Sequence, residues 1–263
     1  MTPWSRLAWT ACPSVDNRSG ASRAGCSTSN ARRWLECRYR GALSIRYDDD
    51  ASCRSAERTG NALTLRESIR AWRFYDHFRT DADAPARSPQ IGTYTPVLCD
   101  DGSDIAAAIE TIRKFGDGEA LNSTVDDAFP GSHLSVEENS GRFTLLMKQH
   151  GLLRSLGAAE LSDGTLRYVL WIAALLTPRP PALMVLNEPE TSLHPSLLPA
   201  LARLVGRAAA KSQIIVVTHA SPLITALKKE ADYHSVTLEK NFGETTIRGA
   251  KQMNLPAWHW PTR

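Results

Sequence analysis

The sequence predicts an α/β fold: a mostly parallel sheet flanked by helices, with a lobe of helices and a β-hairpin attached. Three observations carry this. Ala182–Leu186 is a short apolar run with no polar side, too short for a free-standing helix, and it stops at Asn187-Glu188-Pro189. Such a run reads as a strand buried on both faces of a parallel sheet. Gln213–Thr218 is a second such run, and a helical stripe lies between the two, giving a strand–helix–strand unit. Upstream, His133–Glu137 and Arg142–Lys148 alternate with period two around Asn139-Ser-Gly141, the pattern of a hairpin.

The totals fit a globular protein. The 263 residues allow one large domain or a core plus an insertion, and a sizeable core. A net charge of +3 permits contact with nucleic acid without arguing for it. No run is apolar enough to span a bilayer and no secretory signal is evident, so no membrane role and a cytoplasmic location are expected. Cys12, Cys26, Cys37 and Cys53 form no C-x-x-C pair, so free thiols are expected rather than a zinc site.

Residues 1–60 stand apart. They hold four of the five cysteines and no lysine, and their hydrophobic periodicity is poor. A short strand is expected within Arg38–Tyr47. The rest reads as disordered, or as a noncognate segment from a wrong start or a frame change. Thr64-Leu-Arg-Glu67 has the spacing of a capping box, and Leu65, Ile69, Trp72, Tyr75 and Phe78 predict a helix over 65–78. Its aromatics read as core rather than as a base-stacking platform. The polar, Pro-rich stretch Arg79–Pro96 predicts a long loop, in which Gln90 is a weak candidate for a metal or water contact.

Ser103 is the expected cap of a helix over Asp104–Phe115, closed by Gly116; a second helix is expected over Glu119–Phe129. Together with the hairpin, these make residues 61–160 a middle lobe and leave 161–263 as the core. Ser162 is a natural N-cap for a helix that is apolar nearly all round and stops at Thr177-Pro178. Asp163 favours the first turn, and Gly164 lets a backbone come close. A helix start of this kind binds phosphate; the same residues also fit a plain capped helix. Asn187 and Glu188 follow the central strand at the edge where open α/β sheets bind ligands. Glu188 is placed to take a proton from water beside a Mg²⁺ ion. Pro195 opens the next helix, with Leu197, Leu198, Leu201, Leu204, Val205 and Ala208 as its inner stripe. His219 lies just past the second strand, on the same edge as Glu188. A solvated strand end and a hydrogen-bonded histidine are the plainer readings of these two. Ser221-Pro222 starts a helix ending near Lys229, and Tyr233–Leu238 with Thr245–Arg248 predicts a closing hairpin.

Three signals therefore occur in fixed order: Leu161-Ser-Asp-Gly-Thr165, the strand ending in Asn187-Glu-Pro-Glu-Thr-Ser-Leu-His-Pro195, and Val216-Val-Thr-His219. This order resembles the ABC-type ATPases, most closely the RecF-like and SMC-like branch of AAA-family ATPases. Trp72–Thr80 and Asp101–Asp104 are similar to the middle of predicted bacterial ATPases of that branch. The resemblance covers about three quarters of the chain and implies a P-loop NTPase-like fold with ATP and Mg²⁺ as cofactors. It implies that Ser162, Asp163, Gly164 and Thr165 form the signature motif, contacting ATP held by a second protomer. Glu188 would polarise the attacking water, Asn187 would face the metal, Ser192 and His194 would lie in the loop that crosses a dimer seam, and His219 would touch the γ-phosphate. The implied partners are a homodimer or a partner ATPase subunit across the signature face, and, by analogy, DNA, with DNA repair or genome defence as the setting. Two departures stand out. Position 187 is Asn where most of this superfamily has Asp, and no G-x-x-x-x-G-K-[S/T] loop occurs anywhere in the sequence. That loop supplies the backbone cradle and the lysine for phosphates. A chain without it is expected to bind ATP poorly; the alternative is a non-catalytic module that complements an intact partner.

Overall fold

The structure is a computed structural model, and it describes residues 56–230, 232–241 and 244–248. The strand expected within Arg38–Tyr47 and the other readings of residues 1–55 lie outside the described residues.

Helix α1 spans Ala56–Ala71 and strand β1 spans Arg73–Tyr75. This corrects the helix expected over 65–78. Thr64 lies inside α1, where its carbonyl accepts the Ser68 hydroxyl, and does not cap it. Leu65 is exposed, so the apolar stripe meets no core there. From Arg73 the backbone pairs with a strand more than a hundred residues later, and that pairing overrides the local helical spacing. Arg79–Pro96 is mostly loop, as expected, but carries a 3₁₀ turn at Pro85–Arg87 and strand β2 at Gln90–Ile91.

Helices α2 (Ile105–Phe115) and α3 (Gly118–Ala128) follow. The cap position of α2 is Asp104, not Ser103; its carboxylate accepts the Cys99 amide instead of a helical one. Gln90 supplies the missing acceptor: its Oε1 takes the Ala106 N–H at 2.8 Å. A buried residue so engaged caps a helix, which replaces the metal-contact reading of Gln90. Cys99 is disulfide-bonded, against the expectation of free thiols.

Strands β3 (His133–Asn139) and β4 (Arg142–Lys148) form the expected hairpin. Ser140 and Gly141, at φ 52° and 76°, make the left-handed two-residue turn that matches strand twist. β2 and β5 (Leu156–Gly157) join β4 to complete a four-stranded antiparallel sheet.

Helix α4 (Asp163–Leu175) is the centre of the core: every residue from Leu166 to Leu175 is buried. Strand β6 (Leu183–Asn187), helix α5 (Leu198–Ala209, entered through a 3₁₀ turn at Pro195–Leu197) and strand β7 (Gln213–Val217) follow. Among the described residues, three parallel strands are ordered β1-β6-β7, with Tyr75 opposite Leu186 and Asn187 opposite Val217. Met184, Leu186, Ile214 and Val216 are fully buried, while Leu183, Val185, Ile215 and Val217 on the other face are half-buried. The expected burial of both faces is thus met on one face and falls short on the other. Helix α6 (Ser221–Glu230) packs on α5. Strands β8 (Leu238–Asn241) and β9 (Glu244–Ile247) form the closing hairpin, its first strand starting where the expected one ended. The register, running from Leu238–Ile247 to Asn241–Glu244, moves that strand toward the chain's end. Among the described residues, no helix is long and apolar enough to cross a membrane.

Candidate functional site: strand tips and the start of helix α4

Parallel strands of one sheet end on one edge, and β1, β6 and β7 bring Asp76, Asn187, Glu188 and His219 together there. His219 Nδ1 lies 3.3 Å from Glu188 Oε1 and 3.8 Å from Glu190 Oε1. Both His219 and Glu188 are well exposed, so their contact adds little stability and leaves both free to act. Glu188 has φ 44°, a left-handed backbone that is costly for a side-chain-bearing residue. Two hydrogen bonds hold it: its N–H donates to Val217 O at 2.8 Å, and its carbonyl accepts the Thr191 N–H. The turn aims its carboxylate away from the strand and toward His219.

Asn187 Nδ2 donates to Asp76 Oδ1 at 2.6 Å. The amide nitrogen is thus committed, while the Asn oxygen accepts no hydrogen bond among the described residues. A carboxylate missing from position 187 is present one strand away. Glu190 is a further participant that sequence reasoning passed over. Its side chain is 8 % exposed, and Oε1 accepts the Thr218 hydroxyl at 2.5 Å while Oε2 is buried without a hydrogen-bond partner among the described residues. That bond ties the loop after β6 to the end of β7 and steadies the strand tips. The motif Asn-Glu-Pro-Glu shows Glu190 plainly, but only the fold shows that it turns inward.

The second cluster lies at the start of α4. Ser162 Oγ accepts the Thr165 N–H at 3.2 Å and bonds the Thr165 hydroxyl at 2.8 Å, so the N-cap is formed. Ser162, Gly164, Thr165, Ser192, His194 and Ser196 line a shallow hollow of about 350 Å³, walled by Phe129 just past the end of α3. His194 Nδ1 contacts the Ser196 hydroxyl at 2.7 Å. Ser192 is left-handed at φ 62°. Of the sequence-predicted residues, five share this hollow; Asn187, Glu188 and His219 share the strand tips. Asp163 is exposed beside the hollow and pairs with Arg87 at 2.7 Å.

One face of α4 joins the two clusters. A Cβ on Gly164 would lie 2.8 Å from the Ser192 carbonyl. Arg167 donates to Thr191 O and to Phe78 O, and Trp171 Nε1 donates to Pro189 O at 3.0 Å. Residues spaced three and four apart along a helix share a face, so this stripe holds the whole 188–192 loop. Arg167 is buried and, among the described residues, has no carboxylate partner and an unpaired Nε. Burial lowers the pKa of its guanidinium, and the charge of Asp163 offsets part of that shift.

Among the described residues no three acidic, histidine or cysteine side chains converge to hold a metal by themselves. The tip of β6 instead offers an amide oxygen with a carboxylate beside it. Hard oxygen donors few in number suit Mg²⁺ arriving with phosphates. The residues present fit the metal in that capacity.

The parallel sheet thus carries an acid and an imidazole at its strand tips, and the serine–glycine start of α4 forms a second cluster. A family model described as "AAA domain, putative AbiEii toxin, Type IV TA system" matches residues 31–226, and the chain belongs to this AAA-domain family. None of the curated proteins matches the chain. Among solved structures, it is similar to one described as showing ATP-driven dimerization and DNA-stimulated activation of SMC ATPases. That likeness has 16 % identity and a TM-score of 0.43, over 53 % of this chain and 87 % of that one. It is also similar to an Smc head domain from Pyrococcus furiosus bound to the C-terminal domain of ScpA: 15 % identity, TM-score 0.44, over 56 % of this chain and 37 % of that one. An SMC head domain from Thermotoga maritima is similar at 20 % identity and TM-score 0.39, over 56 % of this chain and 51 % of that one.

Proposed function

We propose that this chain is an ABC/RecF-like ATPase unit whose working half is its signature face, offered to ATP-Mg²⁺ held by a second protomer or a partner ATPase subunit. The observation that carries this is the hollow in which Ser162, Gly164, Thr165, Ser192 and His194 meet. Helix-start N–H groups and hydroxyls stabilise phosphate charge, and phosphoryl transfer depends on such positioning more than on covalent chemistry. At the strand tips, Glu188 takes the role of orienting and deprotonating an attacking water. His219 is held by carboxylates near Nδ1, which leaves Nε2 for a phosphate oxygen. Asn187 and Asp76 would hold Mg²⁺ through their oxygens; the bound ion would neutralise phosphate charge.

The sequence lacks the Gly-Lys cradle, so the chain's own ATP affinity is low and its function lies in trans. Residues 161–263 act as the catalytic-face core and 61–160 as the lobe that frames it. Genome defence or DNA repair is the setting that the resemblance favours; a role for DNA rests on analogy.

Two measurements test the proposal. Titration calorimetry of the isolated chain with ATP-Mg²⁺ should show binding no tighter than about millimolar, roughly −4 kcal/mol; micromolar binding refutes the loss of the cradle. Mixed with a cradle-bearing member of the family, the chain should associate only when ATP-Mg²⁺ is present, and Ser162→Arg should abolish that association. Association indifferent to ATP, or to Ser162→Arg, removes the signature face from its role.

A further inference from the structure

Arg87 lies in the loop Arg79–Pro96, of which the sequence singled out only Gln90, and its side chain is only 9 % exposed. All three of its guanidinium nitrogens are engaged. Nε donates to Thr80 O and Asp81 O, and Nη1 donates to Ala158 O, Ala159 O and Leu161 O. Nη2 donates to Thr80 O and to Asp163 Oδ1. All of these acceptors but one are neutral carbonyls; among the described residues, the one charge that Arg87 meets is Asp163, in the first turn of α4.

This pairing alters the electrostatics of the hollow. A carboxylate in the first turn of a helix interacts favourably with the free N–H groups there. It therefore opposes any other anion that approaches the same groups. Asp163 sits between Ser162 and Gly164, where phosphate would come. With Arg87 at 2.7 Å, the carboxylate is neutralised from the side and held against the 158–161 turn. Beneath the adjoining 188–192 loop, Arg167 adds a positive charge that no acid among the described residues offsets by contact.

We propose that Arg87 is a positioning residue of the signature face: it cancels the charge of Asp163 so that the start of α4 receives phosphate. This rests on the reading of that face as phosphate-binding. A merely structural Arg87 would tie two loops together and leave the charge of Asp163 immaterial.

The test is a charge cycle on the full chain, read by the amide chemical shifts of Gly164 and Thr165 during titration with inorganic phosphate. The wild type should show a saturable shift. Arg87→Met should weaken binding about three- to fivefold, the size of one charge acting at a helix start. Adding Asp163→Asn to Arg87→Met should return affinity to within about twofold of wild type. A double variant as weak as Arg87→Met, or a wild type that shows no saturable shift, overturns the proposal. Where Arg87→Met does not fold, Asp163→Asn alone decides: binding must tighten by at least about twofold, and unchanged binding overturns the proposal. A cycle that behaves as stated, in a chain that fails to associate with the cradle-bearing homologue, would leave Arg87 in its role and refute only assembly in trans.

Discussion

Asp104 accepts the Cys99 amide and ends up largely shielded from water. Burial, opposed by that hydrogen bond, pushes its pKa from 3.8 up to about 6. A carboxyl that holds its proton more tightly when folded favours the folded state at low pH. Its contribution is fully present below the unfolded value and is lost as pH rises through the folded one. Stability from this group therefore falls between pH about 4 and 6. Asp104→Asn keeps an acceptor for Cys99 and removes the charge. It should raise stability above pH 6, by at most about 3 kcal/mol, and change little below pH 4; thermal melts across pH check this. A variant equally stabilised at every pH would mean that the charge is not the cause. Arg87, Arg167 and Asp76 belong to the same scale and were not legible in the sequence. Their partners lie far along the chain, 76 residues away for Arg87 and Asp163 and 111 for Asp76 and Asn187. Single-chain spacing carries no trace of such pairs.

Helix α4 behaves differently, because its signals are local. Ser162 as cap, Asp163 in the first turn and the stop at Thr177-Pro178 are all close in sequence to the helix they bound, and the helix forms where they place it. The hairpin was legible for the same reason: its turn residues define its register. Strand β1 was not, since three residues have no period and its pairing among the described residues is to distant β6. What α4 does beyond being a helix depends on the close approach at Gly164. Gly164→Ala would set a Cβ 2.8 Å from a backbone carbonyl, which cannot swing aside as a side-chain tip does. The expected cost is about 1–3 kcal/mol by thermal melting, with faster amide exchange in residues 188–193. An alanine variant as stable and as protected as the wild type would show that the loop accommodates it.

At the scale of the molecule, the parallel sheet has three strands among the described residues, and β1, at one end of them, has only three residues. So short a strand gains little from its ladder and depends on the packing of neighbouring side chains. Tyr75, Phe78 and Trp171 form an aromatic cluster, with ring centroids 4.9–6.2 Å apart, that fastens the end of β1 to α4. Tyr75 also donates its hydroxyl to Leu98 O. Phe78→Ala should therefore cost about 3–5 kcal/mol and lower the melting temperature of the whole body in one transition. A separate early transition would show that β1 detaches on its own. The fold class was legible because buried runs and a stripe between them suffice to specify a strand–helix–strand unit. How α4 holds the loop after β6 was not, because that depends on contacts between distant segments.

The hydrogen bond between Asn187 and Asp76 has a bearing on how such chains drift over generations. An aspartate arising at 187 would face another acid across the gap that the amide now bridges, and the two would repel. Inheritance of either acid thus constrains the neighbouring strand: the amide and the acid should change places together, or not at all.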